Sequence, residues 1–167
     1  MPITYIFYFL LALLLHEAAH FAAARACRVT VAELGLGWGR KLFGFRWRGV
    51  DCVFRLLPVG AYVRFDLNEL QRRPLAQQVL ILLAGIIANV LAATVTSGTR
   101  FSLMNSLLAA TNILPLYQQD GWKCGMVMLR SALGRKSSLV EWTFTIAGSV
   151  LSIALFSALF GQLFLTH

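Results

Sequence analysis

Apolar residues in this chain come in long runs rather than in short alternations. Ile6 to Leu15 is ten apolar residues without a break, and after His16-Glu17-Ala18-Ala19-His20 the apolar character resumes. A helix needs roughly 20 apolar residues to cross the hydrocarbon core. Four segments meet that requirement, at about 3–24, 75–97, 101–119 and 140–166, with only Gly98-Thr99-Arg100 between the second and third. From Val29 to Phe65 the pattern changes to short runs of Val, Phe and Trp punctuated by Gly, a strand-and-turn signature. The pattern therefore predicts a mainly α, polytopic membrane protein, one domain over residues 1–167. It has four transmembrane helices and a β-hairpin region at about 29–65 between the first and second. Ala84, Ala88 and Ala92, with Gly85 and Asn89 beside them, suit close helix packing.

Composition agrees. Hydrophobic residues make up 58% of the 167 and charged residues 13%, against about a quarter charged in soluble domains. The net charge of +8 would suggest nucleic acid in a soluble protein, but its placement argues otherwise. Of the fifteen Lys and Arg, ten lie between Arg25 and Arg73, four between Lys123 and Lys136, and one is Arg100. With four spans, fourteen share one face, which the positive-inside rule makes the cytoplasm, with both termini outside. No nucleic-acid partner is expected. Ala22-Ala23-Ala24 resembles a signal-peptide cleavage site, yet Met1 to Ile6 carry no basic residue, so the first span is read as retained. Cys27, Cys52 and Cys124 form no C-x-x-C pair and are expected as free thiols. Gly35, Gly37 and Gly39 match neither phosphate-binding glycine pattern.

The polar interruption of the first span carries the chemistry. Residues four apart lie one above the other on a helix, so His16 and His20 aim at one point, while Glu17 sits roughly 100° round from His16. This is the H-E-x-x-H arrangement for zinc. Each ionisable group inside a membrane costs at least about 2.5 kcal/mol, and a bound Zn2+ compensates all three. Catalytic zinc takes three protein ligands, and the one other histidine is His167, so a carboxylate is needed. Glu33, Asp51, Asp66, Glu69, Asp120 and Glu141 are available. Asp120 alone stands directly against a span, just after Pro115, which breaks a helix. Broken backbone at membrane depth borders a protein-lined or wet cavity. An ordinary helix end with an Asp-Gly turn explains the same residues.

H-E-A-A-H in a first span, followed two spans later by Asn112, Pro115, Asp120 and Gly121 in N-x-x-P-x-x-x-x-D-G spacing, resembles the site-2 protease family of intramembrane zinc metalloproteases. Pro58 to Val63 resembles the end of that family's Gly-rich, membrane-reentrant hairpin, and "LLAGIIAN" is similar to its A-G-P-x-x-N element, with Ile86 in place of proline. Gln119 stands where the family usually has leucine.

The resemblance implies His16, His20 and Asp120 as zinc ligands and Glu17 as general base. It places Asn112, Asn89 and Pro115 at substrate-binding positions. It further implies an intramembrane endopeptidase in the cell (inner) membrane, zinc towards the cytoplasmic side. Single-span membrane proteins such as anti-sigma factors, tethered regulators or signal-peptide remnants would be the substrates. With no space for a PDZ domain, a minimal core is expected, regulated by a separate partner if at all. Two rival readings, a silent membrane adaptor and a metal transporter or sensor, use the same histidines; the first leaves Glu17 unexplained, and the second expects polar residues through several spans.

Overall fold

The computed structural model describes residues 2–134 and 138–165. The chain forms two compact units, Met1–Ala110 and Thr111–His167. His167 lies outside the described residues.

The first unit opens with α1 (Pro2–Ala26). Ala12, His16, His20 and Ala24 are buried at four-residue intervals, whereas Ile3, Ile6, Phe7, Leu11 and Leu14 are exposed. A helix with an apolar exposed face suits lipid. The chain then forms the expected hairpin, β1 (Val31–Trp47) and β2 (Val50–Phe65), paired antiparallel. Its register is doubled: Glu33 to Leu36 pair both with Arg64 to Ala61 and with Asp51 to Phe54. The first half of β1 is thus hydrogen-bonded on both edges. Gly37, at φ +91°, bends β1 where any Cβ would strike the Leu57 carbonyl. Beyond it Trp38, Leu42, Phe43, Phe45 and Trp47 are exposed.

Asp66 caps α2 (Leu67–Arg72), accepting from the amides of Asn68 and Glu69. Glu69 accepts from the Thr30 amide at 2.6 Å, and Asp66 N donates to Thr30 O at 2.9 Å, which closes the hairpin base. Next, α3 (Leu75–Val95) buries Ile81, Leu82, Ala84, Gly85, Ile86 and Asn89, a stripe repeating every three to four residues that packs on α1. A turn at 96–99 leads into α4 (Arg100–Ile113), whose Leu108 joins Ala12 and Leu13 in a small core, with Phe9, Phe101, Met104 and Ala61 of β2 against it.

In the second unit α5 (Asp120–Leu133) ends at Gly134 in the left-handed region, and α6 (Ser138–Leu165) follows. Arg130 of α5 makes a two-pronged ion pair with Glu141 of α6, both arms 2.8 Å.

Among the described residues, three helices are long and apolar enough to cross a membrane: Ile3–Ala26, Leu75–Val95 and Ser138–Ala158. The expected span at 101–119 is not one helix. Fourteen residues of α4 cover about 21 Å, short of a roughly 30 Å core. The cause is Pro115, which disfavours helical backbone at Leu114 and lacks the amide a helix requires. Residues 114–119 are tied to α6 instead, the Tyr117 amide donating to Ser152 Oγ at 3.0 Å. The stretch between the third and fourth expected spans holds helix α5. The three cysteines are free, as expected.

Candidate metal centre

The two histidines of α1 converge as their spacing requires. Both are buried, at 3% and 4% exposure, and their Nε2 atoms stand 3.1 Å apart. Each Nδ1 is held by an acceptor on α3: His16 Nδ1 donates to Asn89 Oδ1 at 2.9 Å, and His20 Nδ1 to the Ile81 carbonyl at 2.7 Å. With hydrogens on both Nδ1 atoms, two Nε2 lone pairs face one another in a buried space. A cation resolves that repulsion. Tetrahedral zinc with bonds of 2.0–2.1 Å separates two ligand nitrogens by roughly 3.3 Å, and histidine ligands characteristically donate their second N–H to an amide or carbonyl oxygen. The donor set therefore fits zinc.

Close approach of α1 to α3 depends on Gly85. A Cβ there would stand 2.5 Å from His20 Nε2 and 2.6 Å from His16 Nε2. Gly85→Ala should therefore weaken zinc binding by at least about tenfold while costing only 1–3 kcal/mol of stability. Zinc titration beside thermal unfolding checks this. Spacing alone gave Gly85 a packing role; its contact with both rings needed the tertiary structure.

Glu17 is half-buried next to His16. Asn89 is fully buried and serves His16 directly. Asn105, which the sequence reading passed over, is also fully buried and bonded to Asn89. An Asn seven residues before Asn112, two turns away on the same helix, would have been the signal.

Asp120, Asn112 and Pro115 belong to the second unit. Asp120 is buried in the first turn of α5, with Lys123 Nζ 3.0 Å from its carboxylate. Asn112 is half-buried and Pro115 exposed. Burial pushes the Cys124 thiol up, and the Asp120 charge adds to it.

The other carboxylates all have structural partners. Asp66 and Glu69 secure the hairpin base, Glu141 holds Arg130, and exposed Asp51 faces Arg46 at 3.6 Å. Glu33 accepts from the Tyr62 hydroxyl and pairs with Arg64 and Arg55. The Tyr62 hydrogen bond above all, with the two arginines, holds the Glu33 carboxyl below the ordinary 4.5 against the opposing effect of burial. A lowered folded value means that the stabilisation is full above 4.5 and is lost as pH falls through the folded value. Amide exchange at Glu33 to Leu36 should accelerate only in that acid range. Tyr62→Phe should shrink the acid dependence.

A buried pair of imidazoles, tied off at Nδ1 and with Glu17 between them on one apolar helix, is an arrangement suited to holding a metal ion. The sequence model of peptidase family M50 matches residues 4–101, more than half of the chain, and the chain belongs to that family. This bears out the site-2 protease resemblance. The membrane metalloprotease ARASP of Arabidopsis thaliana is 32% identical over 91 residues, 47% of this chain and 20% of its own length. Metalloprotease MmpA of Caulobacter vibrioides is 42% identical over 55 residues, 32% of this chain and 14% of its own. A Synechocystis protein, slr1821, provisionally named a zinc metalloprotease, is 34% identical over 86 residues, 44% of this chain and 24% of its own. The chain thus spans well under two thirds of the length of these relatives. The family match includes His16, Glu17, His20, Gly85 and Asn89 and stops before Asp120.

Proposed function

We propose that the chain is an intramembrane zinc endopeptidase that cuts transmembrane segments of single-span membrane proteins. The observation that carries this is the convergence of the His16 and His20 Nε2 atoms at 3.1 Å with both Nδ1 atoms occupied, in the helix that also bears Glu17. His16, His20 and Asp120 hold the metal. When bound, zinc polarises a scissile carbonyl and lowers the pKa of water. Asp120 is chosen because it is buried at a helix start, whereas the remaining carboxylates secure the hairpin or pair with arginines. Glu17 takes the proton of the attacking water and passes it to the leaving amine. Asn112 donates to the developing oxyanion, a contribution on the order of a few kcal/mol.

Substrate helices must unwind before their amides can be attacked, and an edge of the hairpin within 31–65 captures the unwound segment as an added strand. Packing of Ala61 against the cluster of Ala12, Leu13 and Leu108, midway along α1, supports a hairpin that re-enters the membrane. The fourth crossing consists of α4 plus residues 114–119, which need add only about 10 Å to the helix.

Orientation follows from charge, with residues 25–73 and 123–136 cytoplasmic and the zinc towards that side. Reporter fusions after Arg48 and after Lys136 should read cytoplasm and one at Gly98 the outside; the inverse pattern would overturn the assignment. The function itself is tested by cleavage of a single-span substrate by the reconstituted chain, with zinc content measured on the same sample.

A further inference from the structure

Asn89 could present either end of its amide to His16. With Oδ1 forward it accepts from Nδ1–H and leaves Nε2 as the open nitrogen. With the NH2 forward it demands a lone pair on Nδ1, which moves the hydrogen to Nε2 and closes that atom to a metal. The choice is made farther back. Asn105 Nδ2 donates to the Phe101 carbonyl at 2.8 Å, and a backbone carbonyl can only accept. Asn105 Oδ1 is thereby turned towards α3, where it accepts from Asn89 Nδ2 at 3.1 Å. Asn89 Nδ2 also reaches the Ala12 carbonyl at 3.4 Å, again an acceptor only. Asn89 Oδ1 is left to face His16 Nδ1 at 2.9 Å. Both asparagines are 0% exposed, so water does not compete for these bonds. The sequence Phe101 carbonyl, Asn105, Asn89, His16 has one direction, set by the carbonyl at its start.

We propose that Asn105 is a positioning residue that fixes the amide orientation of Asn89 and, through it, the tautomer of His16. The effect on metal affinity rests on the zinc reading above; the effect on the imidazole does not. An aspartate at position 89 offers acceptor oxygens at both ends, so His16 Nδ1 meets an acceptor whatever stands at 105, and in Asn89→Asp the His16 tautomer should no longer depend on residue 105.

The experiment uses the full chain in nanodiscs, with zinc affinity measured against a competing chelator and 15N spectra of the His16 ring recorded on metal-free protein. Asn105→Leu should lower zinc affinity by about 10–100-fold and move the ring from the Nδ1-protonated towards the Nε2-protonated form. Asn89→Asp with Asn105→Leu should keep the Nδ1-protonated ring and lose no zinc affinity relative to Asn89→Asp alone. Asn105→Ser, too short to reach Asn89, gives the same result if the leucine variant does not fold. The proposal is overturned if His16 keeps its tautomer in Asn105→Leu and in Asn105→Ser, or if the same loss of affinity persists in the Asn89→Asp background, which would mark Asn105 as packing only. If the wild-type chain binds no zinc, the functional reading fails, while the ring spectra still decide the role of Asn105.

Discussion

Glu17→Gln should leave zinc bound at close to one per chain while cleavage falls by at least about a hundredfold. The substitution preserves length and nearly all packing, and it lies one residue from His16 on a continuous helix, so neither imidazole should move. What it removes is the capacity to accept a proton. A silent adaptor with a structural zinc site would lose nothing, and neither would a transporter that used the histidines alone. Full activity of the glutamine variant would therefore end the peptidase mechanism.

The second large effect separates ligands from neighbours. His16→Ala or His20→Ala should abolish zinc binding and cleavage together, because each removes one of the two convergent nitrogens on which the proposed site is built. Asp120→Asn is more discriminating. It keeps the shape of the first turn of α5 but withdraws the charge that balances the cation, so zinc affinity should drop by at least about tenfold. The measurement is metal content after dialysis beside cleavage of one single-span substrate. Unchanged zinc and cleavage in Asp120→Asn would place the third ligand elsewhere, with Asp51, Asp66 and Glu69 next. Asp51 would be the most readily recruited of these, since its pairing with Arg46 is loose and exposed, whereas Asp66 caps a helix and Glu69 holds a backbone amide.

Much of the fold was legible in the order of residues because membrane helices announce themselves by length and polarity alone. The helices found at Pro2–Ala26, Leu75–Val95 and Ser138–Leu165 fall within a few residues of the segments read from apolar runs. The hairpin was equally plain, since Gly-punctuated Val, Phe and Trp cannot sustain a helix. The convergence of His16 and His20 followed from a period of 3.6 and needed no neighbour. Pro115 was seen to break its helix, but how far the break extended was not: that depended on where the freed amides found acceptors, and Ser152 of α6 supplied one.

Features that rest on contacts between distant positions were decided only by tertiary structure. A four-residue spacing aligns two imidazoles but says nothing about which ring nitrogen faces inward. That is settled by Asn89 and the Ile81 carbonyl, which lie 73 and 61 residues away. Gly85 reads in sequence as one more small residue, and its role becomes visible when both rings lie against its missing side chain. Glu33 stood among the candidate carboxylates in sequence, and the hairpin register, which brings Tyr62 and Arg64 opposite it, removed it from the set. Period and polarity are local properties that a chain carries along its length, whereas the direction of a hydrogen bond depends on which acceptor folding brings to it.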